Sequence, residues 1–396
     1  MSLTLTKDHV LMSDFDRYEE LNLSPVARFS QPYLSGPVVE AKDVSDGNIN
    51  RVFRVLRAGS SVIVKQAIPY LRAAGKGWPL TRHRIETENL ALEIHGALVP
   101  RVMPEVFCFD HQISAIVMED LKSLEPWREP MLLDGHTTHV PIVIAEYCSQ
   151  ILIKTSALVL DPKELKELRA KFSYTELCLV TEELFFTAPY VESKLNRFES
   201  GLAPLVVDLQ ADEVLRAAAS EMRTIFKTKT EALIHGDLHS GSVMFSGSEV
   251  RIIDLEFAFY GPFGFDLGVL FANLALSKIA QMARGDFNHA WMTESYAKEI
   301  WESFCQKILG LASIYGFNSE KFLFEMEGDM YRFAGVEMIR RIIGLAHAKE
   351  IDSLSDQVRL SGQKQAIRNG TRLLVNSSGF DFEQFWKTAT REVSVS

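Results

Sequence analysis

Cysteine is scarce and widely spaced in this sequence. The 396 residues include 4 cysteines, Cys108, Cys148, Cys178 and Cys305, and no two of them form a CxxC pair. The spacing therefore predicts neither a zinc site nor a disulfide framework. Scattered thiols are typical of a reducing compartment, so we expect a cytoplasmic protein.

The sequence also lacks an excess of basic residues and an apolar run of membrane length. It has 42 Lys and Arg against 52 Asp and Glu, which gives a formal net charge of −10. We expect no nucleic-acid partner, because phosphate backbones are bound by clustered basic residues. The most apolar stretch, residues 140–160, is interrupted by Glu146 and Lys154, so we expect a buried helix and no membrane association. The first residues lack the basic and apolar segments of a signal peptide.

The pattern of the sequence changes near residue 120. Residues 37–64 contain three β-rich runs separated by the turn-forming DGN and AGSS. A helical pattern follows in RHRIETENLALEIHGAL, and then two apolar runs in PEVFCFD and ISAIVMED. This order predicts an α+β fold whose residues 1–120 form a small β-rich N-lobe with a five-stranded antiparallel sheet and a helix. Residues 121–396 are expected to form a larger, mainly α-helical C-lobe for catalysis and substrate binding.

Carboxylates are concentrated in the stretch IHGDLHSGSVMFSGSEVRIIDLEF at residues 234–257. Asp237 lies between a short strand and a predicted hairpin, Asp254 ends that hairpin, and Glu256 is two residues further on. Lys65 ends the third β-rich run. Phosphoryl transfer requires a cation at the donor phosphates, carboxylates for Mg²⁺ and a carboxylate beside the acceptor hydroxyl. These residues, in this order, predict a kinase.

Two neighbours of these carboxylates are expected to have structural roles. His235, flanked by Ile234 and Gly236, is typical of a buried histidine that fixes a loop through backbone hydrogen bonds. Asp266, in GFDLG, is expected to begin a helix or to orient the loop. Neither is predicted to act as a catalyst.

Several motifs in the sequence match known kinases. HGDLHSGSVMF resembles the catalytic loop HGDxHxxN of the protein-kinase-like small-molecule kinases, which include aminoglycoside phosphotransferases and choline kinases, with Ser242 in place of the usual Asn. Together with IIDLEFAFYGPFGFDLG and MIRRIIGLAH, it is similar to the 5-methylthioribose kinase family. DGNIN at 46–50 and GKGWPLT at 75–81 resemble that family's nucleotide loop and tryptophan loop, although Lys76 and Gly77 depart from the second pattern.

This resemblance implies a protein-kinase-like bilobal fold and an enzyme that uses ATP and Mg²⁺. The substrate would be a small-molecule sugar, 5-methylthioribose, phosphorylated on its 1-hydroxyl in methionine salvage, and the enzyme would be a homodimer. By the same resemblance Asp237 is the catalytic carboxylate and contacts the substrate, while Asp254 and Glu256 bind Mg²⁺. Arg340 and Arg341 match the family's paired substrate-side arginines.

The resemblance also implies a set of nucleotide-binding residues. They are Lys65, Asp46, Gly47, Asn48, Glu86, Met118, Glu119 and Leu121. Lys65 would hold the ATP phosphates, residues 46–48 would close over them, and residues 118–121 would form the hinge that pairs with adenine. Glu86 is the expected ion-pair partner of Lys65, with Glu88 and Glu93 of the same helix as alternatives. Trp78 would border the sugar pocket.

Two other functions remain open on the residues alone. The first is a kinase of the same fold acting on another sugar, an amino alcohol or an aminoglycoside. An aminoglycoside is a polycation and would require a strongly acidic pocket, whereas paired arginines favour a neutral sugar and phosphate. The second is a nucleotide-binding pseudokinase, whose usual loss of the lysine, the catalytic Asp or the metal-binding Asp is not seen here.

Overall fold

The structure, a computed structural model, describes residues 18–34, 36, 38–44, 49–57, 59–72, 77–128, 139–173 and 175–392. Asp46, Gly47 and Asn48 of the expected nucleotide loop lie outside these residues. The contacts divide the chain into two compact units, one of residues 1–86 and 107–119 and one of residues 87–106 and 120–396. The second unit therefore takes in residues 87–106 as well as the expected C-lobe.

The first unit is built on a five-stranded sheet. Its strands are β1 (Val38–Asp43), β2 (Arg51–Arg57), β3 (Ser60–Gln66), β4 (Val106–Asp110) and β5 (Ala115–Glu119), in the order β1-β2-β3-β5-β4. Pairing is antiparallel between β1 and β2, between β2 and β3, and between β3 and β5. The predicted five-stranded antiparallel sheet is confirmed.

One face of this sheet is covered by helix α1 (Leu23–Phe29). The buried residues of that face include Phe53, Val55, Val62 and Val64, which alternate along β2 and β3 because successive side chains of a strand point to opposite faces. Lys65 follows Val64 and so points to the other face, and it is only 4% exposed. The strand pattern thus places a buried lysine on the face away from α1.

The second unit is mainly helical, as predicted. Helix α2 (Arg84–Leu98) leads into it, and its further helices are α3 (Val140–Lys154), α4 (Pro162–Lys171), α5 (Glu176–Phe186), α6 (Ala203–Ala211), α7 (Glu213–Thr228), α8 (Phe265–Ala283), α9 (Phe287–Tyr315), α10 (Ser319–Ile343), α11 (Lys349–Asp352), α12 (Asp356–Asn376) and α13 (Phe382–Ala389). Helix α3 covers much of the apolar stretch that predicted a buried helix. None of the helices in the described part of the chain is long and apolar enough to cross a membrane.

Short strands of the second unit position the loop around Asp237. They are β6 (Glu125–Pro126), β7 (Ala232–Ile234), β8 (Val243–Ser246), β9 (Glu249–Ile252) and β10 (Phe259–Gly261). β8 and β9 form the predicted antiparallel hairpin, and β6 pairs with β8. β7, directly before the loop, pairs with β10. The sequence patterns predict β7, β8 and β9, and they do not predict β6 and β10.

Two buried helices, α8 and α10, form the frame of the candidate site. α8 is buried along most of its length and packs against α10, which also packs against α12. A Cβ atom on Gly335 of α10 would lie 2.6 Å from the carbonyl oxygen of Gly370 in α12. The two backbones can therefore approach only because both positions lack a side chain, and this close packing fixes the end of α10 that carries the paired arginines.

Candidate active site

The HGDLH loop, which follows β7, depends on glycine at its second position. Gly236 has φ 84°, a left-handed conformation that favours glycine. A Cβ atom at this position would lie 2.2 Å from the carbonyl oxygen of Phe257, so the loop also runs in contact with backbone. Both constraints fix the loop backbone, and with it the direction in which the side chain of Asp237 projects.

Asp266, in the first turn of α8, holds the same loop. Its Oδ2 accepts the backbone N–H of His235 at 2.7 Å, and its Oδ1 accepts the backbone N–H of Gly236 at 2.9 Å. Burial raises the pKa of the Asp266 carboxyl, while the nearby His235 and the two amide hydrogen bonds oppose that rise. Asp266 thus has both expected roles, at the start of a helix and as the carboxylate that orients the loop.

His235 is completely buried and joins the loop to the end of β9. Its Nε2 lies 2.9 Å from the carbonyl oxygen of Ile253, and its Nδ1 lies 3.3 Å from the backbone nitrogen of Asp237. A carbonyl only accepts, so Nε2 carries the proton and Nδ1 accepts from Asp237. The ring therefore bridges Asp237 and the residue before Asp254, which is the loop-fixing role predicted for it.

Two guanidinium groups and one imidazole surround the Asp237 carboxylate. The Nη2 atoms of Arg340 and Arg341 lie 3.8 Å and 3.9 Å from Asp237 Oδ1. His239 Nε2 lies 3.7 Å from Asp237 Oδ2. These distances exceed that of a direct hydrogen bond. The Asp237 side chain is 29% exposed, so a small hydroxyl can approach its oxygens.

Adjacent arginines on a helix point about 100° apart, yet both reach this carboxylate. Glu337, one turn earlier on α10, explains the convergence. It accepts hydrogen bonds from Arg340 Nε and Nη2 and, at 2.6 Å, from Arg341 Nε. The Arg340 guanidinium also lies over the ring of Phe185, 3.7 Å from its centroid, in a cation–π contact. Glu337 and Phe185 thus direct the outer edges of both guanidinium groups toward Asp237.

Both arginines remain protonated near neutral pH. Burial, followed by the charge of Arg341, lowers the pKa of Arg340 to about 10, although Glu337 and Asp237 oppose the shift. Burial also lowers the pKa of Arg341, but the charges of Glu337, Asp237 and Glu350 outweigh it and raise the pKa overall. The site therefore presents two permanent cations beside one accessible carboxylate.

His239 is neutral and presents an N–H to Asp237. Its Nδ1 accepts the backbone N–H groups of Gly241 at 2.9 Å and Ser242 at 3.1 Å, so the proton is on Nε2. Burial, and then the charges of Arg341 and Arg128, lower the pKa of His239 well below its usual value. The ring therefore acts as a fixed hydrogen-bond donor rather than as a third cation.

Ser242, which replaces the asparagine of the wider motif, is used inside the loop. Its Oγ accepts the backbone N–H of His239 at 3.0 Å and donates to the carbonyl oxygen of His239 at 2.8 Å. The side chain is buried, with 1% of its surface exposed. A hydroxyl with these two hydrogen bonds stabilises the turn. Asp254 and Glu256 remain the residues expected to bind Mg²⁺.

Asp254 and Glu256 follow β9, where the backbone departs from the extended conformation of the hairpin. Asp254 has φ 67° and ψ 51°, a left-handed conformation uncommon for a residue with a side chain, and a 3₁₀ turn at Leu255–Phe257 follows. Its side chain is exposed and that of Glu256 is half-buried. The described residues contain no group of three or more His, Cys, Asp and Glu suited to a metal. Two carboxylates still fit Mg²⁺, which usually binds one or two of them and completes its shell with water and phosphate oxygens.

The residues expected to bind the nucleotide are found partly on the sheet of the first unit. Lys65 lies on β3, opposite Val52 of β2 and Ile116 of β5. Met118 and Glu119 end β5, and Leu121 follows it by two residues. Lys65 has the strand position that the sequence predicts, and the contact of these residues with a nucleotide stays a prediction.

Glu86 lies near the start of α2 with two histidine partners. Its Oε1 is 3.0 Å from His83 Nδ1 and 2.6 Å from His111 Nδ1, and its side chain is 40% exposed. Glu88, one of the two alternatives on the same helix, is only 1% exposed. A pairing of Glu86, or of either alternative, with Lys65 stays a prediction.

Trp78 lies in a loop closed by backbone hydrogen bonds. Its carbonyl oxygen accepts the backbone N–H of Leu71 at 2.8 Å, and Leu80 donates to the carbonyl oxygen of Pro69 at 3.2 Å. The indole is half-buried. The loop is thus held at its base by backbone hydrogen bonds, and the place of Trp78 beside a sugar stays a prediction.

Sequence reasoning did not identify three residues that shape this site, Glu337, Phe185 and Arg128. The spacing of Glu337 carried a usable signal, since a carboxylate three and four positions before two arginines on a helix can pair with both. Phe185 comes from α5 and Arg128 from the segment after β6, so only the folded chain brings them near the loop. Arg128 donates its backbone N–H to the Ser240 carbonyl oxygen at 3.1 Å.

Comparison with known proteins gives a consistent result. Residues 168–299 match the phosphotransferase enzyme family. The methylthioribose kinase of Yersinia enterocolitica is 34% identical over 384 residues, covering 92% of this chain and 96% of that protein. The methylthioribose kinase of Geobacillus sp. is 38% identical over 356 residues, covering 87% and 88%.

Among solved structures, a spectinomycin phosphotransferase in complex with ADP and spectinomycin is 11% identical. It covers 94% of this chain and 99% of its own, with a TM-score of 0.49. The identities of 34% and 38% over most of both chains are the decisive finding, and they confirm the resemblance carried by the sequence motifs. The chain belongs to the methylthioribose kinase family.

Proposed function

We propose that this chain transfers the γ-phosphoryl group of ATP to the 1-hydroxyl of 5-methylthioribose, a step of methionine salvage. The observation that carries the proposal is the Asp237 carboxylate, 3.8 Å and 3.9 Å from two buried guanidinium groups, in a chain of this family. A carboxylate can take the hydrogen bond of an attacking hydroxyl, and fixed cations can stabilise a transferring phosphoryl group.

Asp237 aligns the acceptor hydroxyl and receives its proton as the new bond forms. An anomeric hydroxyl is more acidic than that of an ordinary alcohol, so a carboxylate is basic enough for this task. Arg340 and Arg341 hold sugar oxygens or the transferring phosphoryl group through their Nη atoms. The neutral His239 supports the orientation of Asp237 through its Nε2–H. Positioning and charge neutralisation account for most of the catalysis in such a loose transition state.

Asp254 and Glu256 hold Mg²⁺ in the proposed complex. Held there, the ion would supply positive charge that offsets the negative charge developing on the ATP phosphates. The exposed Asp254 carboxylate and the half-buried Glu256 offer the hard oxygen atoms that this ion prefers. The left-handed backbone at Asp254 leads directly into the 3₁₀ turn that carries Glu256.

Other residues of the chain bind the two substrates. Lys65 neutralises ATP phosphates, and the backbone of residues 118–121 pairs with adenine. Trp78 offers an apolar wall for the methylthio group, since sulfur packs well against aromatic rings. The proposal further includes a homodimer located in the cytoplasm, supported by the family resemblance and by the scattered thiols.

A coupled assay of ADP release with Mg²⁺ and four acceptors tests the proposal. The acceptors are methylthioribose, ribose, choline and kanamycin. We expect turnover with methylthioribose and a kcat/KM at least about 100-fold lower with the other three. Turnover confined to ribose, choline or kanamycin would assign a different substrate within the same fold. Binding of Mg–ATP without turnover of any acceptor would favour a nucleotide-binding protein.

A further inference from the structure

We propose that Glu337 is a positioning residue for the transfer, holding Arg340 and Arg341 at the distance from Asp237 at which the acceptor can enter. The inference rests on the proposed function. It assigns a role to a side chain that does not itself contact the substrate. Its action goes through the two arginines.

The contacts of Glu337 are directional. Arg340 donates to it through Nε and Nη2, and Arg341 donates through Nε at 2.6 Å. The Glu337 Oε1 atom accepts hydrogen bonds from both arginines, so this one oxygen links the two guanidinium groups. Arg341 gives only its Nε to Glu337, so its Nη2, 3.9 Å from Asp237 Oδ1, keeps both N–H groups. Arg340 Nη2 carries two N–H groups and is shared, since it donates to Glu337 at 3.1 Å and lies 3.8 Å from Asp237 Oδ1.

The group formed by Glu337, Arg340 and Arg341 is rigidly supported. Glu337 has no exposed surface, and Arg340 and Arg341 are 6% and 8% exposed. The neighbouring turn of α10 carries Gly335, whose backbone lies directly against Gly370 of α12. Since the helix cannot shift there, the length of the Glu337 side chain determines where the two guanidinium groups lie.

The charges explain why the distance between the two guanidinium groups and Asp237 matters for the reaction. Two guanidinium groups lie between two carboxylates, that of Glu337 on one side and that of Asp237 on the other. Without the charge of Glu337, Asp237 would be the remaining carboxylate of this group, and a movement of about 1 Å would convert both long contacts into direct hydrogen bonds. The acceptor hydroxyl would then compete with two arginines for Asp237 Oδ1.

The test compares Glu337→Gln with the parent enzyme and with Glu182→Gln. Glu182 is a matched control, because it is also buried and also accepts an arginine Nε–H, that of Arg223 at 2.7 Å, but this pair lies outside the site. We expect Glu337→Gln to lower kcat by about 100-fold and to raise the KM for methylthioribose. The KM for ATP should stay within about twofold, and Glu182→Gln should leave all three constants within about twofold.

An activity-independent measurement separates this inference from the proposed function. In ¹⁵N-labelled protein, the Nε–H signals of Arg340 and Arg341, assigned with Arg→Lys variants, should exchange slowly with water. Glu337→Gln should accelerate exchange at these two arginines, and Glu182→Gln should do so at Arg223 alone. If the parent does not phosphorylate methylthioribose, the proposed function fails while this arm still tests the arrangement.

A third variant keeps the inference testable if Glu337→Gln does not fold. Glu337→Asp keeps the charge and withdraws the carboxylate by one methylene, so it should fold, hold the arginines further from Asp237 and lower kcat with the ATP KM unchanged. Folded Gln or Asp variants with kcat and sugar KM within about twofold of the parent would overturn the inference. So would unchanged Nε–H exchange in Glu337→Gln.

Discussion

The buried carboxylate of Asp266 accepts the backbone N–H of His235 at 2.7 Å. It also accepts the next amide, that of Gly236, through its other oxygen. Helix α8 and the catalytic loop are therefore joined by a carboxylate that uses both oxygens, directly before Asp237. Because both amides are buried, loss of this acceptor would leave them without a partner inside the protein.

Replacement of Asp266 by Asn should be costly, since the amide nitrogen would face a backbone N–H that needs an acceptor. We expect a loss of about 2 to 4 kcal/mol in the free energy of unfolding, measured by urea denaturation. Asp212→Asn is the matched control, because Asp212 accepts two amides through Oδ1 alone and Asn retains that oxygen. Equal losses in the two variants would contradict the structural argument.

Asp237→Asn should remove the acceptor of the sugar proton while keeping the shape of the side chain. We expect kcat to fall by about 10²- to 10⁴-fold, the usual contribution of a general base. The dissociation constant for Mg–ATP, measured by calorimetry, should change little, because Lys65 and the metal carboxylates are unaltered. An Asn variant with nearly normal turnover would contradict the role given to Asp237.

Glu256→Gln tests the metal-binding carboxylates. The neutral amide binds Mg²⁺ more weakly, so the Mg²⁺ concentration for half-maximal rate should rise by about 10-fold or more. Glu249→Gln, on β9 of the same hairpin, is the control, since the Glu249 carboxylate pairs with Arg251 at 2.7 Å. Removal of divalent cations with EDTA should abolish turnover in all variants. A Mg²⁺ dependence identical in the two variants would assign the metal to other ligands.

His95 predicts how stability depends on pH. Its Nδ1 lies 2.9 Å from Tyr147 Oη in the core, and burial lowers the pKa of His95 from 6.5 to about 3. Between these values the unfolded chain binds a proton that the folded chain does not, so stability present above the unfolded pKa is lost as pH falls. The loss attributable to one such group approaches about 1.4 kcal/mol per pH unit.

His95→Gln should remove this contribution, because Gln does not titrate. Urea denaturation at several values from about pH 6.5 to pH 4.5 should show a shallower fall in the free energy of unfolding for the variant than for the parent. The difference between the two slopes isolates His95 from the other titrating groups. Parallel curves would show that His95 is not buried in its neutral form.

Much of this arrangement could be predicted from the sequence because its signals are local. Strand alternation and turn residues predict the five-stranded sheet and the β8–β9 hairpin. The HGDLH pattern correctly indicates that His235 is a loop-fixing residue. Asp266 is recognised by its place at the start of an apolar helix.

The parts that could not be predicted arise from contacts between distant segments. Phe185 of α5 supports Arg340 of α10 across more than 150 positions of sequence, and no local pattern marks either as a partner of the other. The strands β6 and β10 form because neighbouring backbone offers them partners, although their own sequences are only two or three residues long. The helical spacing of Glu337 indicates that it can pair with both arginines. Which atoms form these pairs is shown only by the folded structure.

The position of the new phosphate ester tests the central claim most directly. We would incubate the enzyme with methylthioribose, ATP and Mg²⁺ and record ³¹P and ¹H NMR spectra of the product. The account predicts one phosphate ester whose phosphorus is coupled to the anomeric proton, with ADP formed in equal amount. An ester at another hydroxyl, or release of inorganic phosphate without any sugar phosphate, would contradict it.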